Sequence, residues 1–248
     1  MTHIEGISTL AMIFAGGKGT APDLPLAIKF ACEIQDWDGD GRELATMLDE
    51  QRKKGATKVD FDICDSVPGR QTNFLCIGRD ESWVHADIPI ALKRLEAGNN
   101  STQRAAFKRV LDARRAFMEA HAREEPNGTT GATQFAMRDL VEDDQLWSNA
   151  LQNFAAGKLP KYTEADFKKA DSDLNAFYRQ QLQIAKHICE EMSCDDTNDY
   201  ARHMIQSERA WLAYREAWVA YGRLRWPSVP PDSWRTWLTL ERLEMFNR

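Results

Sequence analysis

Large apolar residues recur at three- and four-residue steps along Ala201–Arg225, which places Met204, Trp211, Tyr214, Trp218 and Tyr221 on one side of a helix. Two polar side chains interrupt the stripe. Glu208 lies one turn before Trp211, and Arg215 lies between Trp211 and Trp218. An arginine flanked by tryptophans at i−4 and i+3 needs an acceptor, because an unpaired buried charge is too costly to keep. This stretch is therefore expected to be a core helix with one internal ion pair or an arginine–carbonyl contact, the candidate acceptors for Arg215 being Glu208 on the same helix and Asp171 or Asn175 on the preceding long helix.

The same period organises the rest of the chain. Residues 1–60 read as an irregular front section with two short helices, Pro22–Ile34 and Arg42–Lys54, and Ile7–Ala15 as a short folded apolar segment. From Phe61 onward the pattern predicts long helices. Phe61–Arg79 turns at Pro68-Gly69, and Asp80–Ala97 is helical with a kink at Pro89. Ser101 caps Thr102–Glu125, Gln134–Ala156 follows, and Thr163 opens another helix with Asp166 completing a capping box. After Pro230-Pro231 a last helix covers Asp232–Asn247. Strand patterns are nearly absent, so the expected class is all-α, built from long antiparallel helices.

Composition adds little to that picture, and charge somewhat more. The net charge of −6 argues against a nucleic-acid partner and favours a cationic one. No apolar run reaches the length of a membrane span. Ile7–Ala15 lacks the basic start of a secretory signal, so for an exported chain the signal lies outside this numbering. Two local disulfides, Cys64–Cys76 and Cys189–Cys194, with Cys32 left over, account for the cysteines and imply an oxidising compartment. Five buried thiols are the alternative. Asp36, Asp38 and Asp40 alternate as a calcium loop begins, but the twelfth position is Met47 rather than a bidentate carboxylate. Calcium is thus a weak candidate, a solvated acidic turn the competing reading, and no other cofactor is expected.

Two segments echo each other. Arg115–His121 aligns without gaps on Arg209–Arg215, and His85-Ala86-Asp87 precedes an apolar helix much as Lys169-Ala170-Asp171 does. A duplicated helical-hairpin module, residues 61–157 and 158–248 behind the 1–60 extension, accounts for this.

The residues of the second copy carry a resemblance. Ala170-Asp171, Leu174-Asn175 and Tyr178, followed by Glu208-Arg209, Trp211 and Tyr214-Arg215-Glu216, resemble the paired helix motifs of the LprI-type lysozyme-inhibitor domain. The spacing of Cys64 and Cys76 ahead of Ala86-Asp87 is similar to that family's N-terminal cysteine pair. The likeness extends over about 61–248 and is stronger in the second copy. Glu208 stands where the family has Gln, and Trp218-Val219 where it has a cysteine. In the first copy Ala91, Arg94 and His121 replace the motif's Asn, Tyr and Arg. The resemblance implies an exported, periplasmic or envelope helical protein that blocks a lysozyme-like hydrolase, or an immunity protein against a secreted effector. On this reading Asp171 and Asn175 hold Arg215 and fix helix register, and blockade comes from loops.

An enzyme would need other residues: His85 with Asp87, His121 with Glu119 and Glu124, or His187 with Glu190 and Glu191. None has nucleophile–base or metal-ligand spacing supported by a second motif. The sequence therefore points to a binding protein without catalytic residues.

Overall fold

The computed structural model describes residues 3–34, 39–62, 64, 70–124, 130–192, 194 and 199–246. Nine helices form among these residues: α1 His3–Gly16, α2 Leu24–Glu33, α3 Asp40–Lys53, α4 Arg70–Glu96, α5 Ser101–His121, α6 Thr130–Ala155, α7 Glu164–Met192, α8 Tyr200–Arg225 and α9 Pro231–Met245. The chain is all-α, with no strand among the described residues. It divides into two compact units, Met1–Ser82 and Trp83–Arg248, with the division falling inside α4.

The front section is more regular than the sequence suggested. Ile7–Ala15 belongs to a full helix, α1, which packs on α2, and α2 packs on α3. Ala11, Ala15, Ala27 and Ala31 are fully buried, and their small side chains let the helices approach while Leu44 and Leu48 fill the space. At Gly41 a Cβ would stand 2.6 Å from the Ala31 carbonyl oxygen, so only glycine allows α3 this close to α2. Cys64 is joined to Cys76 with Cα atoms 5.7 Å apart, and Arg79 forks onto Asp62 at 2.7 and 2.8 Å. That anchor sits at the expected 79/80 break, where the helix instead runs on through Pro89. Pro68-Gly69, Asp36 and Asp38 lie outside the described residues, as does the side chain of Asp40. Among the described residues, no group of three or more His, Cys, Asp or Glu could hold a metal ion.

In the second unit α5 packs most extensively on α8. The two run antiparallel: Phe107 meets Tyr221 at 4.9 Å between ring centroids, and Phe117 meets Tyr214 at 6.0 Å. Asn100, rather than Ser101, caps α5, in a reciprocal box with Gln103. Thr163 and Asp166 form the box at the start of α7. Phe154, Trp218, Trp234 and Trp237 make a continuous aromatic cluster. One core takes residues from Ala91 through Leu238, so the helices of 61–157 and of 158–248 share their apolar interior beyond the division in α4.

Candidate functional site

Two buried arginines tie α7, α8 and α9 together, and the first is Arg215. Its side chain is 11% exposed. Asp171 on α7 accepts from Arg215 Nη1 at 3.1 Å, and Asn175, one turn later, donates Nδ2 to the Asp171 carboxylate at 3.0 Å. Asn175 therefore orients Asp171 and does not itself hold the arginine. Arg215 Nη1 also approaches Thr239 Oγ1 on α9 at 3.5 Å, and its guanidinium lies over Trp211 and Phe167 at 4.9 and 5.6 Å from the ring centroids. Glu216, beside Arg215, receives a forked contact from Arg235 at 3.1 and 3.0 Å, and Arg235 reaches Asp232 at 2.9 Å. Burial opposes the charge on Glu216, but the hydrogen bonds from Arg235 hold its pKa below the usual carboxylate value.

Glu208, the other acceptor suggested for Arg215, serves a second arginine instead. Arg242 on α9 is 0% exposed and donates Nε to Glu208 Oε2 at 3.4 Å. Its Nη2 donates to Glu124 Oε1 at 2.6 Å. Phe246 and Phe117 flank the guanidinium at 4.2 and 5.2 Å. Glu124 Oε2 accepts from both Arg242 Nη1 and His121 Nδ1, and His121 Nε2 faces the buried carboxylate of Asp143 at 3.5 Å. Burial disfavours the imidazolium, but hydrogen bonding to Asp143 and Glu124 outweighs it and raises His121 to about 9. Glu124 is driven the other way: burial is opposed by Arg242 and His121, and its pKa falls to about 2. For Glu208, burial wins over Arg242 and the pKa rises.

The remaining motif residues are packing residues or exposed. Leu174, Trp211 and Tyr214 are buried in the main core, and Tyr178 packs beside Tyr200, Ala201 and Met204. Arg209 is exposed. Cys189 and Cys194 are joined, with Cα atoms 4.7 Å apart, at the end of α7.

As chemistry, this is a set of latches. Of the three histidine groups that an enzyme would need, the one built on His121 with Glu119 and Glu124 has its imidazole buried, and hydrogen bonding to Asp143 and Glu124 favours the protonated form. His85 and His187 are exposed, 3.7 Å from Asp144 and 3.3 Å from Glu191. Sequence reasoning overlooked Arg242 and Asp143. The signal for Arg242 was present, since Trp234, Leu238 and Arg242 follow at four-residue steps, as Trp211 and Arg215 do.

Residues 149–234 match the family model for the lysozyme inhibitor LprI. The matched segment contains Asp171, Asn175, Glu208 and Arg215, whereas Glu124, His121 and Arg242 lie outside it. No curated protein and no solved structure matches the chain. The similarity to that family thus falls on residues 149–234, the part of the chain braced by Asp171 and Arg215.

Proposed function

We propose that this chain is an exported protein that binds and inhibits a lysozyme-like or other cell-wall-degrading hydrolase, acting in the periplasm or cell envelope. The observation that carries this reading is the LprI match over residues 149–234, in a segment whose polar motif residues are spent on holding helices together. An inhibitor needs a rigid scaffold more than reactive groups. Two disulfides suit an oxidising compartment. The net charge of −6 would steer the chain toward a basic muramidase. Among the described residues no helix is long and apolar enough to cross a membrane. Where the hydrolase is an effector secreted by a rival cell, the same activity makes the chain an immunity protein. The echo between Arg115–His121 and Arg209–Arg215 leads us to propose that duplication of a helical hairpin gave rise to residues 61–248. Purified chain added to peptidoglycan-clearing assays with a muramidase, an amidase and a lytic transglycosylase tests the function. Loss of clearing with at least one of these enzymes is expected. Undiminished clearing with all three, by a chain shown to be folded, overturns the reading.

A further inference from the structure

Beside the Arg242 latch the second unit contains a cavity of about 230 Å³. Ile184 and Ile188 on α7, Met204 on α8, and Met245 and Phe246 at the end of α9 form most of its wall. Two neighbours fix Phe246, whose ring centroid lies 4.2 Å from the Arg242 guanidinium and 5.5 Å from the ring of Phe177. The charged residues of the lining are already spent on other groups. Glu124 accepts from Arg242 at 2.6 Å and also from His121, whose Nε2 faces Asp143 at 3.5 Å. Asp139 Oδ1 is shielded from solvent and faces Arg138 at 3.6 Å. A charged occupant would therefore leave water without gaining a counter-ion of its own, which is costly. The apolar wall has the opposite need. Ile184 is 45% exposed, and Ile188 and Met245 are half-buried, so hydrocarbon laid over them removes apolar surface from water. Size narrows the choice further. An apolar cavity of about 150 Å³ holds benzene, and pockets for drug-sized ligands run to about 300–1,000 Å³.

We infer that this cavity binds a small uncharged group with a hydrocarbon body, either one aromatic ring with a short substituent or a branched chain of similar bulk. The body lies against Ile184, Ile188, Met204 and Met245, where a ring gains sulfur–aromatic contacts from the two methionines. The Gln181 amide in the lining serves one polar substituent as donor or acceptor. This chemistry comes either as a free molecule or as a side chain presented by a partner protein. The inference stands on the wall alone and does not require the inhibitor function.

The test uses the full chain with toluene as the probe, and benzylammonium and benzoate as cationic and anionic analogues of similar shape. Binding is followed by the methyl NMR signals of Ile184, Ile188, Met204 and Met245. Toluene is expected to shift these signals saturably, and each charged analogue to bind about tenfold more weakly or worse. Ile184→Glu changes a residue that is 45% exposed, so the melting temperature without probe is expected to stay unchanged while toluene binds about tenfold more weakly. No saturable shift overturns the proposal, as does a charged analogue that binds as tightly as toluene. Equal shifts at Ile7 and Ile28 in the first unit also overturn it, since they mark unspecific partitioning. In a muramidase-inhibition assay, inhibition relieved by toluene shows that the hydrolase inserts an apolar side chain here. Inhibition that persists with toluene bound assigns the site to a free small molecule, and either result upholds the chemistry of the cavity. A chain that inhibits no hydrolase but binds toluene at these methyls overturns the inhibitor reading alone.

Discussion

Replacing Arg242 with leucine removes the guanidinium that Glu124 and Glu208 both face, while keeping an apolar stem between Phe117 and Phe246. Glu124 is 8% exposed and Glu208 15% exposed, so neither recovers its lost partner from water. Breaking a buried ion pair from one side costs about 3–5 kcal/mol. Two features hold the value to that range despite the two carboxylates. His121 still pairs with Glu124, and Glu208, whose pKa burial already raises, can take up a proton. For a unit the size of Trp83–Arg248, each kcal/mol moves the thermal midpoint by about 2–4 °C, so a fall of about 6–20 °C is expected. Guanidinium-chloride denaturation and differential scanning calorimetry at neutral pH measure it. Adding Glu208→Gln to Arg242→Leu should restore part of the loss, because it removes one stranded charge. Arg242→Lys should also be damaging, since an ammonium cannot fork across both carboxylates. A cost below about 1 kcal/mol for Arg242→Leu would show that the latch contributes nothing net.

Gly222→Ala is expected to cost about 1–3 kcal/mol through overpacking, because its Cβ would stand 2.5 Å from Nε1 of the fully buried Trp234; an unchanged denaturation midpoint would contradict the close packing of α8 on α9. Arg215→Leu should be milder than Arg242→Leu, at about 1–3 kcal/mol, because its partner Asp171 is 38% exposed; a larger loss than at Arg242 would reverse this ranking. Native, non-reduced protein should show a single reactive thiol, Cys32, and removing the Cys64–Cys76 bridge as a double alanine variant should destabilise the first unit by about 2–3 kcal/mol; five reactive thiols would refute both bridges. Because the folded pKa of His121, about 9, lies above its ordinary value of 6.5, its contribution is complete below about pH 6.5 and lost as pH rises toward 9. Glu124, with a folded pKa of about 2 against 4.5, contributes above about pH 4.5 and loses that contribution as pH falls toward 2. NMR titration of the His121 ring checks the first, and a ring that titrates near 6.5 would contradict the buried cation.

Much of this architecture was legible in the chain itself. The α8 stripe gives its own period, and a charged residue within it announces a need for a partner; the motif resemblance supplied Asp171 and Asn175 as candidates, of which Asp171 makes the contact. The assignment of Glu208 failed because spacing along one helix says which side chains are neighbours there, and nothing about a fully buried arginine on α9. α1 was harder, since its apolar residues are nearly continuous and lack the alternation that marks a face. The continuity of α4 across residues 79 and 80 was hidden by Gly78, a residue type that ordinarily interrupts a helix, whereas Pro89 was already expected inside one. The cavity around Asp139 draws residues from five helices, so no local pattern encodes it.

We propose that this chain inhibits a wall-degrading enzyme by occupying its active cleft, while its own motif residues only hold the scaffold. Competition calorimetry with a muramidase tests it directly, by titrating the chain into enzyme with and without a saturating cell-wall oligosaccharide. A one-to-one complex is expected whose apparent affinity falls as oligosaccharide is added, with Arg215→Lys binding as tightly as the wild-type chain once its folded fraction is counted. Binding unaffected by the oligosaccharide, or abolished by Arg215→Lys in a fully folded protein, would contradict it.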